Sequence, residues 1–348
     1  MKVAVVNNMV PFLHGGAEFL ADSLSKKLRE YGHDSTVIKF PFRWEPKTAI
    51  IDSIMAVKVS QLYNVDMVIG LKFPAYYIEH PNKKLWLLHQ FRQAYDLHKT
   101  EYGMFDESNI EDVAIRNAII DLDNRYLGDL EGRIFTNSKV VSKRLLKYNG
   151  ISSDVLYPPL MDASLYSGSK ELGDYIFYPS RVNYSKRQHL AIEAMRYTKS
   201  GVRLVLAGKG DTKSDEAYLF KLIEQYDLGD KVTYLNRFIS EQEKVDLFQK
   251  SLGGIYIPYD EDSYGYVTLE GFHAGKAMIS CTDAGGTDVV VKNGITGYMT
   301  SPDPHALAEA MDYLYLHKDK TREMGMNGLP LLEELGITWE NVIRRLTE

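Results

Sequence analysis

Short apolar runs alternate with longer amphipathic stretches along the whole chain, and the pattern starts afresh once. The first half offers strands at "KVAVVN", "STVIKF", "DMVIGL", "KLWLLH" and "RIFTNS". Between the first two lies "GGAEFLADSLSKKLREYGH", where Phe19, Leu20, Leu24, Leu28 and Tyr31 recur at helical spacing and Gly32 suits the stop. Strand, turn, helix and strand in this order predict a parallel sheet covered by helices, with ligands beyond the carboxyl ends of the strands. The pattern restarts after "LYPPLMDASLYSGSKELGD", whose Pro158, Pro159 and small polar residues read as a linker. Strands at "YIFYPS", "VRLVLAG", "KVTYLN", "GGIYIP" and "AMISC" then alternate with helical segments such as "SEQEKVDLFQK" and "HALAEAMDYLYLHK".

The expected organisation is α/β: a Rossmann-like domain over 1–165, a second over 166–330, and parallel sheets facing each other across a cleft. A short amphipathic helix in 331–348, "TWENVIRRLTE", could pack back on the first domain. A length of 348 residues agrees with two cores rather than one. An apolar fraction of 45% supplies those cores without disulfides, and the single cysteine, Cys281, reads as a small core residue suited to a reducing compartment. No run has the length of about 18 apolar residues that a membrane span needs, and "MKVAVVNNMVPF" lacks the features of a signal peptide. The expected location is therefore cytoplasmic.

The net charge of −6 is unevenly placed. Residues 1–165 hold 20 basic and 20 acidic side chains, and residues 166–348 hold 21 and 27. That balance argues against nucleic acid as a partner. Lys26, Lys27, Arg29, Lys83, Lys84 and Arg92 read as a basic surface in the first half, suited to an anionic membrane or acceptor, although solvated helix faces account for them equally well.

Several residues could carry chemistry. Gly15 and Gly16 open the first helix, where bare backbone N–H groups favour negative charge; plain turn glycines would look the same, and His14 beside them reads as loop. The dinucleotide fingerprint G-x-G-x-x-G is absent, which disfavours a conventional NAD site. Arg181 and Lys186 in "YPSRVNYSKRQH" follow the first strand of the second half and could grip a diphosphate. In "DSYGYVTLEGFHAG" a helix starting near Gly265 would offer the N–H groups of Gly265, Tyr266 and Val267 to a phosphate. Glu270, little more than a turn on, could then accept from a ribose diol, and Asp262 from the hydroxyls of another sugar. A capping Asp262 with an incidental Glu270 satisfies the same spacing.

These pieces, with "GGAE" at 15–18, "WLLHQFRQAYDL" at 86–97, "FTNSKVVSKRLLKYNG" at 135–150 and "LYPP" at 156–159, resemble the retaining glycosyltransferases of family 4 (glycosyl transferases group 1), which have the GT-B fold. The resemblance spans nearly the whole chain. It implies transfer of a hexose-type sugar from a nucleoside diphosphate sugar to a saccharide or lipid-linked saccharide acceptor, with retention, in cell-surface polysaccharide or lipopolysaccharide synthesis. It also implies a cytoplasmic enzyme with a peripheral contact at the inner face of the membrane. By position, Arg181 and Lys186 would bind the diphosphate and stabilise the leaving group. Glu270 would hold the ribose, the backbone of Gly265, Tyr266, Val267 and Thr268 would contact the phosphates, and Gly15 and Gly16 would approach them from the first domain. Asp262 stands at the first acid of the family's E-x7-E motif, and His89 at its histidine near the transferred sugar.

The chain departs from the family pattern at three places. The first acid is Asp262 where Glu is usual, Tyr264 and Tyr266 flank Gly265, and Asp288-Val289 replaces a frequent Pro-Glu after Gly285-Gly286. No metal cofactor is expected. "DLD" at 121–123 has the form of a metal-binding pair but lies in a helical run, where residues i and i+2 do not share a face. The rival readings are a nucleotide-sugar epimerase of the same fold and a non-catalytic sugar-nucleotide binding protein.

Overall fold

The computed structural model describes residues 1–12, 15–100, 103–166 and 171–348. The apolar runs of the first half become β1 (Lys2–Met9), β2 (Asp34–Pro41), β3 (Met67–Lys72), β4 (Lys83–His89) and β5 (Ile134–Thr136). A further short strand, β6 (Asp154–Val155), completes a sheet of order β2-β1-β3-β4-β5-β6, parallel throughout. Helix Gly16–Glu30 buries Leu20, Leu24 and Leu28 on one face, and Gly32 beyond its end adopts φ +86°, a left-handed conformation that costs glycine little. Val3 to Val6, Val68, Ile69, Leu85 and Leu87 are almost wholly buried, as expected of strands covered on both faces.

The second half forms β7 (Tyr175–Pro179), β8 (Arg203–Ala207), β9 (Val232–Leu235), β10 (Gly253–Ile255), β11 (Ala277–Cys281) and β12 (Gly297–Thr300). Its sheet is also parallel, in the order β12-β11-β10-β7-β8-β9. The chain divides into two units, Met1–Pro158 with Ile337–Glu348, and Pro159–Gly336. Helix Trp339–Thr347 belongs to the first. Thr338 caps it at Asn341 N (3.2 Å), Trp339 meets Trp86 edge-on at 6.3 Å, and Lys84 donates to Arg345 O at 3.0 Å.

One sequence expectation fails here. Lys83 is buried rather than on a basic surface, its ammonium donating to Tyr76 O (3.1 Å) and Ile78 O (2.9 Å). Burial lowers its pKa to about 8. The backbone turn 75–78 needs a donor for its carbonyls, and Lys83 supplies it. Among the described residues, no helix is long and apolar enough to cross a membrane.

Candidate functional site

In the second unit the strand order reverses between β7 and β10, and open α/β sheets bind ligands outside the carboxyl ends of the strands at such a switch point. Arg181 follows β7. Its side chain is largely exposed and its Nη1 lies 3.1 Å from Asp211. The loop carrying Asp211 can cross here because residue 208 is glycine: a Cβ there would stand 1.9 Å from Ser180 O. Lys186 ends a short turn held by Asn183 Oδ1, which accepts from its N–H at 3.0 Å. Its side chain is 13% exposed, and its ammonium donates to Tyr256 Oη at 2.9 Å and pairs with Glu261. Burial, with the charge of Glu261, pushes the Tyr256 hydroxyl well above its ordinary range, so it meets Lys186 as a neutral phenol.

Arg187 is held at φ +55°, a left-handed conformation costing a non-glycine residue roughly 1–2 kcal/mol. Its buried guanidinium supplies the compensation. It donates to Ile257 O (2.7 Å) and Pro258 O (2.6 Å) and forks onto Asp283 with two bonds of 2.8 Å. The segments after β7, β10 and β11 are thereby tied to one side chain.

The segment 259–270 follows. Gly286 N donates to Glu261 O at 3.1 Å, and residue 285 must be glycine because its φ is +79° and a Cβ would reach within 2.0 Å of the same carbonyl. Gly265 opens helix Tyr266–His273 at φ +70°, with the Tyr256 ring so near that a Cβ would stand 2.2 Å from Cε1. No side chain caps this helix. Of the residues marked for phosphate contact, Gly265, Tyr266 and Val267 are half-buried. Thr268 is fully buried and already committed: its N–H donates to Gly265 O (3.2 Å) and its hydroxyl to Tyr264 O (2.7 Å). It therefore has no donor to offer a ligand.

Glu270 is 5% exposed. Lys244 Nζ lies 2.7 Å from its Oε1 and also 3.0 Å from Glu241, which accepts from the Tyr166 hydroxyl at 2.5 Å. Glu270 Oε2 is buried and accepts no hydrogen bond. Burial pushes this carboxyl up, and Lys244 pulls against it. A buried carboxylate oxygen without a donor is costly unless something fills the place. Asp262 is half-buried in the preceding loop. The unit thus gathers Arg181, Lys186, Asp262, Gly265 and Glu270 around one strand edge and one helix start. Glu261, Arg187, Lys244 and Tyr256 join them without any signal of their own in the sequence; adjacency to Lys186 and Asp262 is the one available hint for Arg187 and Glu261.

The first unit holds the remaining candidates. Gly15 N donates to Glu18 Oε2 (2.9 Å), and a Cβ at Gly16 would meet nothing within 4 Å, so packing does not require glycine there. His14 lies outside the described residues. His89 is the last residue of β4, half-buried, with Nδ1 2.6 Å from Gln90 O. In "DLD" the two acids take different faces: Asp121 is exposed and Asp123 fully buried. Asp123 accepts from the hydroxyls of Tyr76 (2.8 Å), Tyr77 (2.7 Å) and Tyr95 (2.7 Å). Among the described residues, no group of three or more His, Cys, Asp or Glu could hold a metal ion.

Residues 167–329, all but a few of the second unit, match the model of the family described as glycosyl transferases group 1. The chain is 28% identical over 243 residues to human alpha-1,3/1,6-mannosyltransferase ALG2, a match covering 62% of this chain and 58% of that protein. It is 29% identical over 187 residues to the Pseudomonas aeruginosa D-rhamnosyltransferase WbpZ, covering 53% of this chain and 47% of the other. The matches therefore span about half the length of these relatives. Among solved structures, a glycosyltransferase from Rickettsia africae superposes with a TM-score of 0.75 at 16% identity, covering 99% of this chain and 96% of that one. Anabaena Alr3699/HepE in complex with UDP gives 0.71 at 15%, covering 99% and 98%. Two six-stranded parallel α/β units with these neighbours define the fold as GT-B.

Proposed function

We propose that this chain is a retaining glycosyltransferase of family 4 that moves a hexose-type sugar from a nucleoside diphosphate sugar to a hydroxyl acceptor in the synthesis of a surface polysaccharide. The observation that carries the reading is Glu270, a buried carboxylate with one oxygen on Lys244 and the other unpartnered, little more than a turn into the helix that Gly265 opens. A ribose diol supplies the missing donor. Arg181 and Lys186 hold the diphosphate and stabilise it as it leaves, while the half-buried start of helix Tyr266–His273 adds its dipole. Asp262 and His89 contact the transferred sugar, and Gly15 and Gly16 leave room for a phosphate in the first unit. The group 1 domain and the transferase names of the relatives support this reading, as do structures of Anabaena Alr3699/HepE holding UDP and UDP-glucose. A lipid-linked saccharide acceptor and a peripheral membrane contact on the cytoplasmic side complete the proposal.

Binding of UDP, GDP, ADP, dTDP and NAD, followed by calorimetry on the wild type and on Glu270→Ala, tests it. One nucleoside diphosphate should bind the wild type, and the variant should lose about tenfold or more in affinity, the range for a hydrogen bond to a charged group. Binding of NAD alone, or equal affinity in the variant, would overturn the assignment. Arg181 and Lys186 stand in for a metal, so donor turnover should be unchanged in EDTA. A loss that Mg2+ or Mn2+ restored would contradict the proposed metal independence.

A further inference from the structure

A row of aromatic contacts crosses three helices of the second unit, Gln188–Ala194, Lys213–Gln225 and Pro304–Leu316. It starts at Tyr184, two residues before Lys186. Tyr184 is 75% exposed and lies flat against His189, with ring centroids 5.0 Å apart and planes 12° apart. His189 meets Tyr218 at 6.1 Å. Just past the end of the same helix, the Tyr226 ring lies 4.0 Å from the guanidinium carbon of Arg196, which is 5.2 Å from the ring of Tyr197. Tyr197 closes on His305 at 3.7 Å. There the row opens into a cavity of about 280 Å³, whose lining includes Tyr197, His305, Glu309, Tyr313 and His317, the last two in contact at 4.3 Å. Each of these rings is half-buried or exposed.

Single exposed rings need no explanation, but a connected row does. The negative face of a ring attracts the C–H bonds that one side of a hexose presents, and carboxylates accept from the hydroxyls around its rim. Both kinds of group are here. Glu309 stands one turn from His305 and one turn from Tyr313 on a shared helix face. Glu193 lies close enough to Tyr218 to push its hydroxyl up, after burial. Neither carboxylate forms an ion pair or accepts a hydrogen bond among the described residues. The charges along the row are mixed, Arg196 and Lys199 against Glu193, Glu309 and Asp312, so this is not the cationic groove that single-stranded nucleic acid or an anionic membrane needs. Nor do the rings merge into the charge-depleted core of a protein interface.

We propose that the row of rings from Tyr184 to Tyr313 is a second saccharide-binding surface, which holds a neutral hexose oligomer along the second unit by stacking and by hydroxyl bonds to Glu193 and Glu309. The inference goes beyond the transferase reading and stands without it, on the rings and carboxylates alone. Under that reading the oligomer is the glycan being extended. A second foothold then keeps the glycan at the enzyme between transfers, through the high effective concentration of a tethered ligand.

Calorimetric titration of the full-length chain with linear hexaoses of α-linked glucose, α-linked mannose and β-linked glucose tests it, on the wild type and on Tyr184→Ala, Tyr313→Ala and Lys186→Ala. One hexaose should bind the wild type, about tenfold or more tighter than its monosaccharide, because several rings share the oligomer. Tyr184→Ala and Tyr313→Ala should each weaken it about fivefold, in the range for loss of one aromatic stack. Tyr313→Phe keeps the ring and should keep the affinity. Lys186→Ala should bind the hexaose as the wild type does while losing nucleoside diphosphate. If none of the three hexaoses binds, the surface is not a saccharide site. Hexaose binding that only Lys186→Ala weakens overturns this surface and leaves the transferase reading standing. Sedimentation with phosphatidylglycerol vesicles that Tyr313→Ala abolishes would overturn the saccharide in favour of a lipid surface.

Discussion

Arg187→Ala should lower the stability of the second unit by about 3 kcal/mol, the range for breaking a buried ion pair whose partners then stand unpaired. The guanidinium serves Ile257 O, Pro258 O and Asp283 together. Alanine strips two carbonyls of their donor and leaves Asp283 without a cation. The left-handed strain at residue 187 is not relieved, because alanine carries the same Cβ and is no freer there than arginine. Arg187→Lys should recover little, since an ammonium cannot fork onto a carboxylate and still reach two carbonyls. Urea unfolding followed through the second unit measures the change. Because Tyr259 N bonds to Ser185 O and Asp260 N to Asp283 O, the same variant should also weaken nucleoside diphosphate binding. Unaltered stability would mean that these bonds are replaced by water at no cost.

Asp123→Ala should be comparably damaging in the first unit. Three tyrosine hydroxyls would lose their acceptor in a site closed to water, and each orphaned group costs about 1–3 kcal/mol, so a loss of at least about 3 kcal/mol is expected. Asp123→Asn separates charge from hydrogen bonding. Burial raises the Asp123 pKa to about 6, above the ordinary carboxyl value in the unfolded chain, so the native state binds this proton more tightly. The stability this confers is present below about pH 4 and is lost as pH rises through about 6. Over that window the wild type should lose about 3 kcal/mol relative to Asp123→Asn, in which nothing titrates at this position. A constant difference from pH 4 to 7 would show that the three hydroxyls hold the carboxylate ionised throughout.

Both arrangements explain why the sequence conveys the fold more readily than the site. Every run read as a strand forms one: in the central strands burial on both faces writes a continuous apolar signal into a few residues, and the partly exposed edge strands β2 and β9 keep enough β-branched and aromatic residues to be read. The strands that escaped notice, β6 and β12, are short and partly exposed, and they carry too little of that signal. Charged residues are harder to interpret, because their partners lie far along the chain. Arg187 and Asp283 are 96 residues apart, Lys186 and Glu261 75, and Asp123 and Tyr76 47. No local spacing reports such pairs. Lys83 illustrates the difficulty: beside Lys84 it looks like half of a basic surface, yet it holds a buried turn together. The acids at 262 and 270 stand out only because one helix start separates them.

The pairing of Arg181 with Asp211 and of Lys186 with Glu261 bears on how an anion would enter. Each cation already has a counterion supplied by the chain, so this edge of the second sheet carries little net field and does not draw anions from a distance as bare cations would. Entry is an exchange, in which a ligand must better two resident carboxylates at once. A single phosphate can replace only one of them. In the donor reading proposed above, a diphosphate would offer an oxyanion to each cation, so binding would discriminate by valence before any base or sugar is read.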